Sequence, residues 1–114
     1  MVWQRGMELA ESVYAATERF PADERFGLTN QMRRAAVSVP SNIAEGHARQ
    51  ARADYLRMLR IASGSLAELE TQLLLATRLG YLDDDTRERD LSRETSAMLH
   101  SLIVALERKE KQSQ

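Results

Sequence analysis

The 114 residues carry 16 Lys and Arg against 17 Asp and Glu, with 43% hydrophobic residues and no cysteine. The length suits one domain over residues 1–114, and the apolar share suits a real core. A net charge of −1 excludes binding of polyanions through bulk charge, and the missing cysteines exclude disulfides, thiolate metal sites and Cys nucleophiles.

The first ten residues lack the long apolar run of a secretory leader. No stretch reaches the ~20 apolar residues of a membrane span. A cysteine-free chain of this kind is expected in the cytoplasm.

The first helix is predicted over residues 2–19. Trp3, Met7, Ala10, Tyr14 and Thr17 recur at helical spacing, and Val2, Leu9, Val13, Ala16 and Phe20 widen the stripe. Pro21 ends it, because proline cannot continue the hydrogen-bond ladder. A connector over residues 21–28 follows, with room for one helical turn and punctuated by Gly27, and Thr29 is the expected N-cap of the second helix. That helix is expected to bury Leu28, Met32, Ala35, Ala36, Val39 and Ile43 and to end at residue 45. Gly46 is its C′ residue, and Pro40 is expected to kink it.

The third helix has the clearest signal. Tyr55, Leu59, Ala62, Leu66, Leu69, Leu73 and Ala76 alternate spacings of four and three, the seam of a long bundle helix. Leu56, Leu74 and Leu75 lie beyond that seam, and Gly80 ends the helix. The fourth helix is expected to start near Asp83, with Asp84 and Asp85 in the favourable first turn. It buries Leu91, Met98, Leu99, Leu102, Ile103, Ala105 and Leu106, and residues 107–114 form a charged, fraying tail. Good helix formers dominate and the connections are short. The chain is therefore expected to be all-α, an antiparallel up-and-down four-helix bundle with a Pro-kinked second helix.

Two blocks carry a resemblance. Residues 28–46 read LTNQMRRAAVSVPSNIAEG, and residues 55–82 read YLRMLRIASGSLAELETQLLLATRLGYL. In this order they resemble the four-helix bundle proteins of intervening sequences in bacterial 23S ribosomal RNA genes. More distantly, they are similar to the accessory protein of diversity-generating retroelements. The resemblance spans about half the chain. It implies a bundle, a ring-like homopentamer and no known enzyme activity. For the strongly basic relatives it also implies nucleic-acid binding. This sequence departs from the relatives in its near-neutral charge and in Ala48 and Ala51. Ala51 cannot cap the third helix as a serine would.

Motifs for chemistry are few. Di-iron bundles need Glu-x-x-His pairs, but Ala44 and Ala97 precede His47 and His100 by three residues, so no metal site or cofactor is expected. Ser38, Ser41, Ser63 and Ser65 have no glycine-rich elbow or phosphate loop beside them. Gly64 lies mid-helix at a cost of ~1 kcal/mol against Ala, which reads as close helix–helix approach or as backbone open to a ligand. A carboxylate pair of Glu45 and Glu68 is the one arrangement that would suit acid–base work.

Gln31, Arg34, Ser38, Asn42 and Glu45 share one face of the second helix, and Glu68 and Gln72 pair on the third. The set reads either as a solvated face or as a polar network that fixes register at a subunit contact. Residues 33–60 carry Arg33, Arg34, Arg49, Arg52, Arg57 and Arg60 against Glu45 and Asp54 only. They are the candidate phosphate contacts, with Tyr55 the one aromatic nearby.

The sequence thus points to a non-enzymatic homo-oligomeric bundle acting as a structural or binding module, with five subunits implied by the resemblance. The alternative is a nucleic-acid-associated accessory protein using the arginines of residues 33–60. Neither a membrane nor a small-molecule substrate is inferred as partner.

Overall fold

The computed structural model describes residues 1–83 and 86–112. Four helices make up the fold: α1 (Val2–Thr17), α2 (Leu28–Ala48), α3 (Arg52–Arg78) and α4 (Arg87–Gln112), with one 3-10 turn at Ala22–Glu24. No strand occurs among the described residues. Each helix packs on its neighbours in sequence, and α1 also packs on α4, while neither diagonal pair comes into contact. That closed cycle is an up-and-down bundle, and it is elongated, 51 × 24 × 19 Å.

The core is aliphatic. Leu9, Val13, Met32, Val39, Leu59, Leu66, Leu69, Leu73 and Leu99 are fully or almost fully buried. Each such side chain contributes on the order of 1.5–3 kcal/mol by leaving water. The predicted α3 seam is the observed one, and Leu56, read as lying beyond it, also belongs to the interior at 4% exposure.

On α1 the core face differs from the predicted stripe. Gly6, Leu9, Ala10, Val13, Ala16 and Thr17 point inward, whereas Trp3, Met7 and Tyr14 are 42%, 39% and 45% exposed. Gly6 faces Pro40, where a Cβ would make ordinary contact at 3.4 Å, and α2 continues through Pro40.

Helix ends also differ from expectation, each for a local reason. α1 stops at Thr17, where the Thr17 hydroxyl donates to the Val13 carbonyl. α2 starts one residue before Thr29. Its Leu28 amide donates to Glu24 Oε1 at 3.1 Å, so Glu24 supplies the acceptor expected of Thr29. Gly46 does not end α2. It is buried inside the helix, and a Cβ there would meet Met58 Cβ at 2.8 Å and Tyr55 Cδ1 at 3.0 Å.

Gly80 does terminate α3, with φ of +82°, the left-handed conformation glycine adopts without penalty. α3 begins at Arg52, and Ala51 at its N-cap position offers no side-chain cap. The described part of α4 begins at Arg87, later than Asp83. Asp84 and Asp85 lie outside the described residues, as do residues 113 and 114 of the expected tail. The stretch from Glu107 to Gln112, expected to fray, is helical, and Arg60–Glu107 and Arg52–Glu110 ion pairs hold it to α3.

One end of the bundle is tied by Glu24. Its second carboxylate oxygen accepts from the Tyr81 hydroxyl at 3.0 Å, linking the α1–α2 connector to the α3–α4 connector. That bond, with the negative charges of Glu24 and Asp23 nearby, raises the Tyr81 pKa above the ordinary phenol value. Tyr81 also packs on Phe20, with ring centroids 5.2 Å apart.

Two substitutions test this packing. Leu69→Asp places an unpaired charge at a fully buried site and is expected to unfold the protein, so its circular dichroism should lose the helical signal. Gly46→Ala should lower the urea midpoint by the equivalent of about 1–3 kcal/mol, because the α2–α3 contact must open for the methyl group. An unchanged midpoint would show that the contact yields freely.

Candidate functional site

A concavity lies between α1 and α2, where apolar side chains of α1 stand outside the core. Trp3, Met7 and Tyr14 from α1 and Val37, Pro40 and Ala44 from α2 line a groove of about 580 Å3. Glu11 is its acidic member. Trp3 and Ala44 also border a second hollow of about 360 Å3, which continues past Ile43 and His47 to Tyr55.

The walls are fixed from behind. Arg33 Nε donates to Thr17 Oγ1 at 2.8 Å, its Nη2 donates to the Tyr14 carbonyl, and its guanidinium lies 4.6 Å from the Tyr14 ring centre. His47 meets the Tyr55 ring edge-on at 5.8 Å, and partial burial raises the Tyr55 pKa. Sequence reasoning missed the groove because Trp3, Met7 and Tyr14 lie at core spacing. Surplus apolar width on α1 was the available signal.

A polar seam runs along the α2–α3 side. Ser38 and Ser65 share a hydrogen bond of 2.8 Å, and Asn42 Nδ2 donates to both the carbonyl and the hydroxyl of Ser38. Gln31, Arg34, Ser38, Ser65 and Glu68 line a hollow of about 340 Å3, and Gln72 Nε2 donates to Glu68 at 3.3 Å.

The structure therefore brings together Gln31, Arg34, Ser38, Asn42, Glu68 and Gln72 from the predicted polar set and adds Ser65 from the facing helix. Glu45 does not join them and instead pairs with Arg49 at 3.0 Å. The Ser38–Ser65 register puts Glu45 and Glu68 about 15 Å apart along the bundle at 1.5 Å rise per residue, which excludes a carboxylate pair. Gln72 is 7% exposed, and its Oε1 is buried without a partner.

The arginines do not form one basic surface. Arg33 is a clamp onto α1, and Arg34 faces the polar seam. Arg49 pairs with Glu45, Arg60 with Glu107 at 2.7 Å and Arg52 with Glu110 at 3.6 Å. Arg57 is exposed on α3. Glu107 and Glu110 of α4, some fifty residues away in sequence, offset two charges of the local basic excess of residues 33–60 in three dimensions.

Comparison with known proteins adds the family. The family model described as 23S rRNA-intervening sequence protein matches residues 1–101. The chain belongs to that family. A crystal structure of a protein of unknown function from the S23 ribosomal protein family, from Bacteroides thetaiotaomicron, has the same fold. Its TM-score is 0.77 at 28% identity, over 90% of this chain and 98% of that chain. No curated protein matches. Among the described residues of this family member, no group of His, Asp and Glu is placed to hold a metal ion. None of its helices is long and apolar enough to cross a membrane.

The unsatisfied Gln72 oxygen generates a prediction. Removing a buried unpartnered polar atom while keeping side-chain volume is neutral to favourable. Gln72→Met is therefore expected to raise the urea midpoint slightly, by up to the equivalent of ~1 kcal/mol. A clear loss of stability would show that the Gln72–Glu68 bond, which methionine also removes, outweighs the unpartnered oxygen.

Proposed function

We propose that this protein is a non-enzymatic, homo-oligomeric helical bundle that acts as a structural or binding module in the cytoplasm. The observation that carries this reading is the exposure of Trp3, Met7 and Tyr14 together on one helix, around a groove with a largely apolar lining. A monomer gains nothing from such a surface, and contiguous apolar patches of this kind mark interaction sites. Leu74 and Leu75 on α3 and Leu79 just past its end, 42%, 47% and 50% exposed, point the same way.

Five subunits is the number implied by the family resemblance, and an odd-numbered ring needs head-to-tail contacts. The cysteine-free composition fits a reducing compartment. Nucleic-acid binding through residues 33–60 is the weaker reading, because three of those arginines are already paired with carboxylates.

Light scattering coupled to gel filtration tests the proposal against a monomer mass of 12.9 kDa. A mass near five times that value is expected at micromolar concentration. A monomer peak overturns assembly, and a dimer overturns the ring.

A further inference from the structure

The four helices are not held alike. α2 and α3 bury aliphatic stripes, with Met32, Val39, Leu59, Leu66, Leu69 and Leu73 fully or almost fully enclosed. The buried residues of α4 are Glu88, Leu91, Ser92, Thr95 and Leu99, so polar side chains outnumber apolar ones. Leu102, Ile103 and Leu106 pack against the core but are only partly buried.

Polar contacts therefore carry much of the docking of α4. Ser12 of α1 donates to Glu88 at 2.6 Å, and Ser92 donates to Glu70 of α3 at 3.2 Å. Among the described residues, the ion pairs between different helices are Arg5–Glu94, Arg52–Glu110 and Arg60–Glu107, and each ends on α4. Arg5–Glu8 and Arg49–Glu45 stay local to one helix. Water replaces such hydrogen bonds at small net cost, and exposed ion pairs hold weakly. An aliphatic stripe has no such substitute for burial.

The other three helices are tied to one another without α4. Arg33 fastens α2 to α1, and Ser38 with Ser65 joins α2 to α3. Glu24 accepts from the Leu28 amide and from the Tyr81 hydroxyl, and Phe20 packs on the Tyr81 ring. The chain is thus anchored as far as Tyr81, and α4 is the one helix beyond that anchor.

We propose that α4 is a charge-latched strap that lifts off α1 and α3 as a unit while those two helices and α2 stay folded. In the closed bundle Leu56 borders Glu107 and Glu110, and Leu73 borders Ser92. Lifting uncovers this apolar strip of α3 and breaks the three ion pairs between helices together. The opening is distinct from fraying. Thr95 lies in the N-terminal half of α4 and is fully buried, so unwinding from the chain's end does not reach it.

Thiol labelling tests the strap in the full chain. The protein has no cysteine, so one introduced thiol reports opening at its own site. Thr95→Cys places it on the inner face of α4. Met58→Cys places it on the α2–α3 contact, where Met58 faces Gly46 and stays covered when α4 leaves. With excess maleimide in native buffer, Thr95→Cys should label at least about tenfold faster than Met58→Cys, as for a sub-global opening. Adding Glu94→Gln, Glu107→Gln and Glu110→Gln together should speed labelling of Thr95→Cys about fivefold and leave that of Met58→Cys unchanged.

Equal labelling at the two sites means that the bundle opens only as a whole, and it overturns the strap. A triple glutamine variant that speeds both sites alike, or neither, overturns the charge latch. Circular dichroism verifies folding, and Ser92→Cys, at a site 1% exposed, takes over the measurement if Thr95→Cys loses helicity.

Discussion

A helix in a four-helix bundle can turn only one stripe of its surface toward the core, and the architecture of this protein follows from how each helix fills or exceeds that stripe. α3 fills it with an unbroken alternation of four and three, so its orientation is unambiguous. α1 exceeds it, because its apolar residues form two overlapping stripes and only one fits inside. The choice falls to α2. α1 meets α2 at Gly6 and Pro40, with Leu9 and Val13 turned inward and Trp3, Met7 and Tyr14 outside.

Polar groups follow the same geometry. Ser38, Asn42 and Ser65 occupy the α2–α3 seam, where short side chains bond across the interface without holding the helices apart. Longer charged residues sit at the edges and reach across. Arg5 pairs with Glu94, Arg60 with Glu107, and Ser12 donates to Glu88. Exposed pairs of this type contribute less than about 1 kcal/mol each. Of these, Arg60–Glu107 offsets one charge of the arginine-rich middle of the chain.

The fold was largely legible in the sequence. Helix number, order and most core residues of α2 and α3 follow from periodicity, and Gly80 marks a real end. What escaped were choices that depend on neighbours. Gly46 resembles a stop signal, but the Met58 and Tyr55 side chains opposite require a residue without a Cβ. Thr29 resembles a cap, but Glu24, from the one helical turn of the connector, supplies the acceptor. The α1 stripe was misplaced because Trp3, Met7 and Tyr14 have the spacing of core residues. For the candidate site, the polar set was visible on its helix face apart from Ser65 and the departure of Glu45. The apolar groove was not, since it belongs to two helices at once.

The order in which helices pair has a consequence for the sequence of events after synthesis. Three of the four interfaces join helices adjacent in the chain, and only α1 on α4 joins its extremes. Such low contact order places folding in roughly the microsecond-to-millisecond class. The α2–α3 hairpin needs no other partner to start. The groove, in contrast, does not exist until α1 has docked against Pro40 and Arg33 has closed over Tyr14. A partly folded chain therefore carries Trp3, Met7 and Tyr14 without the α2 wall that shapes the groove.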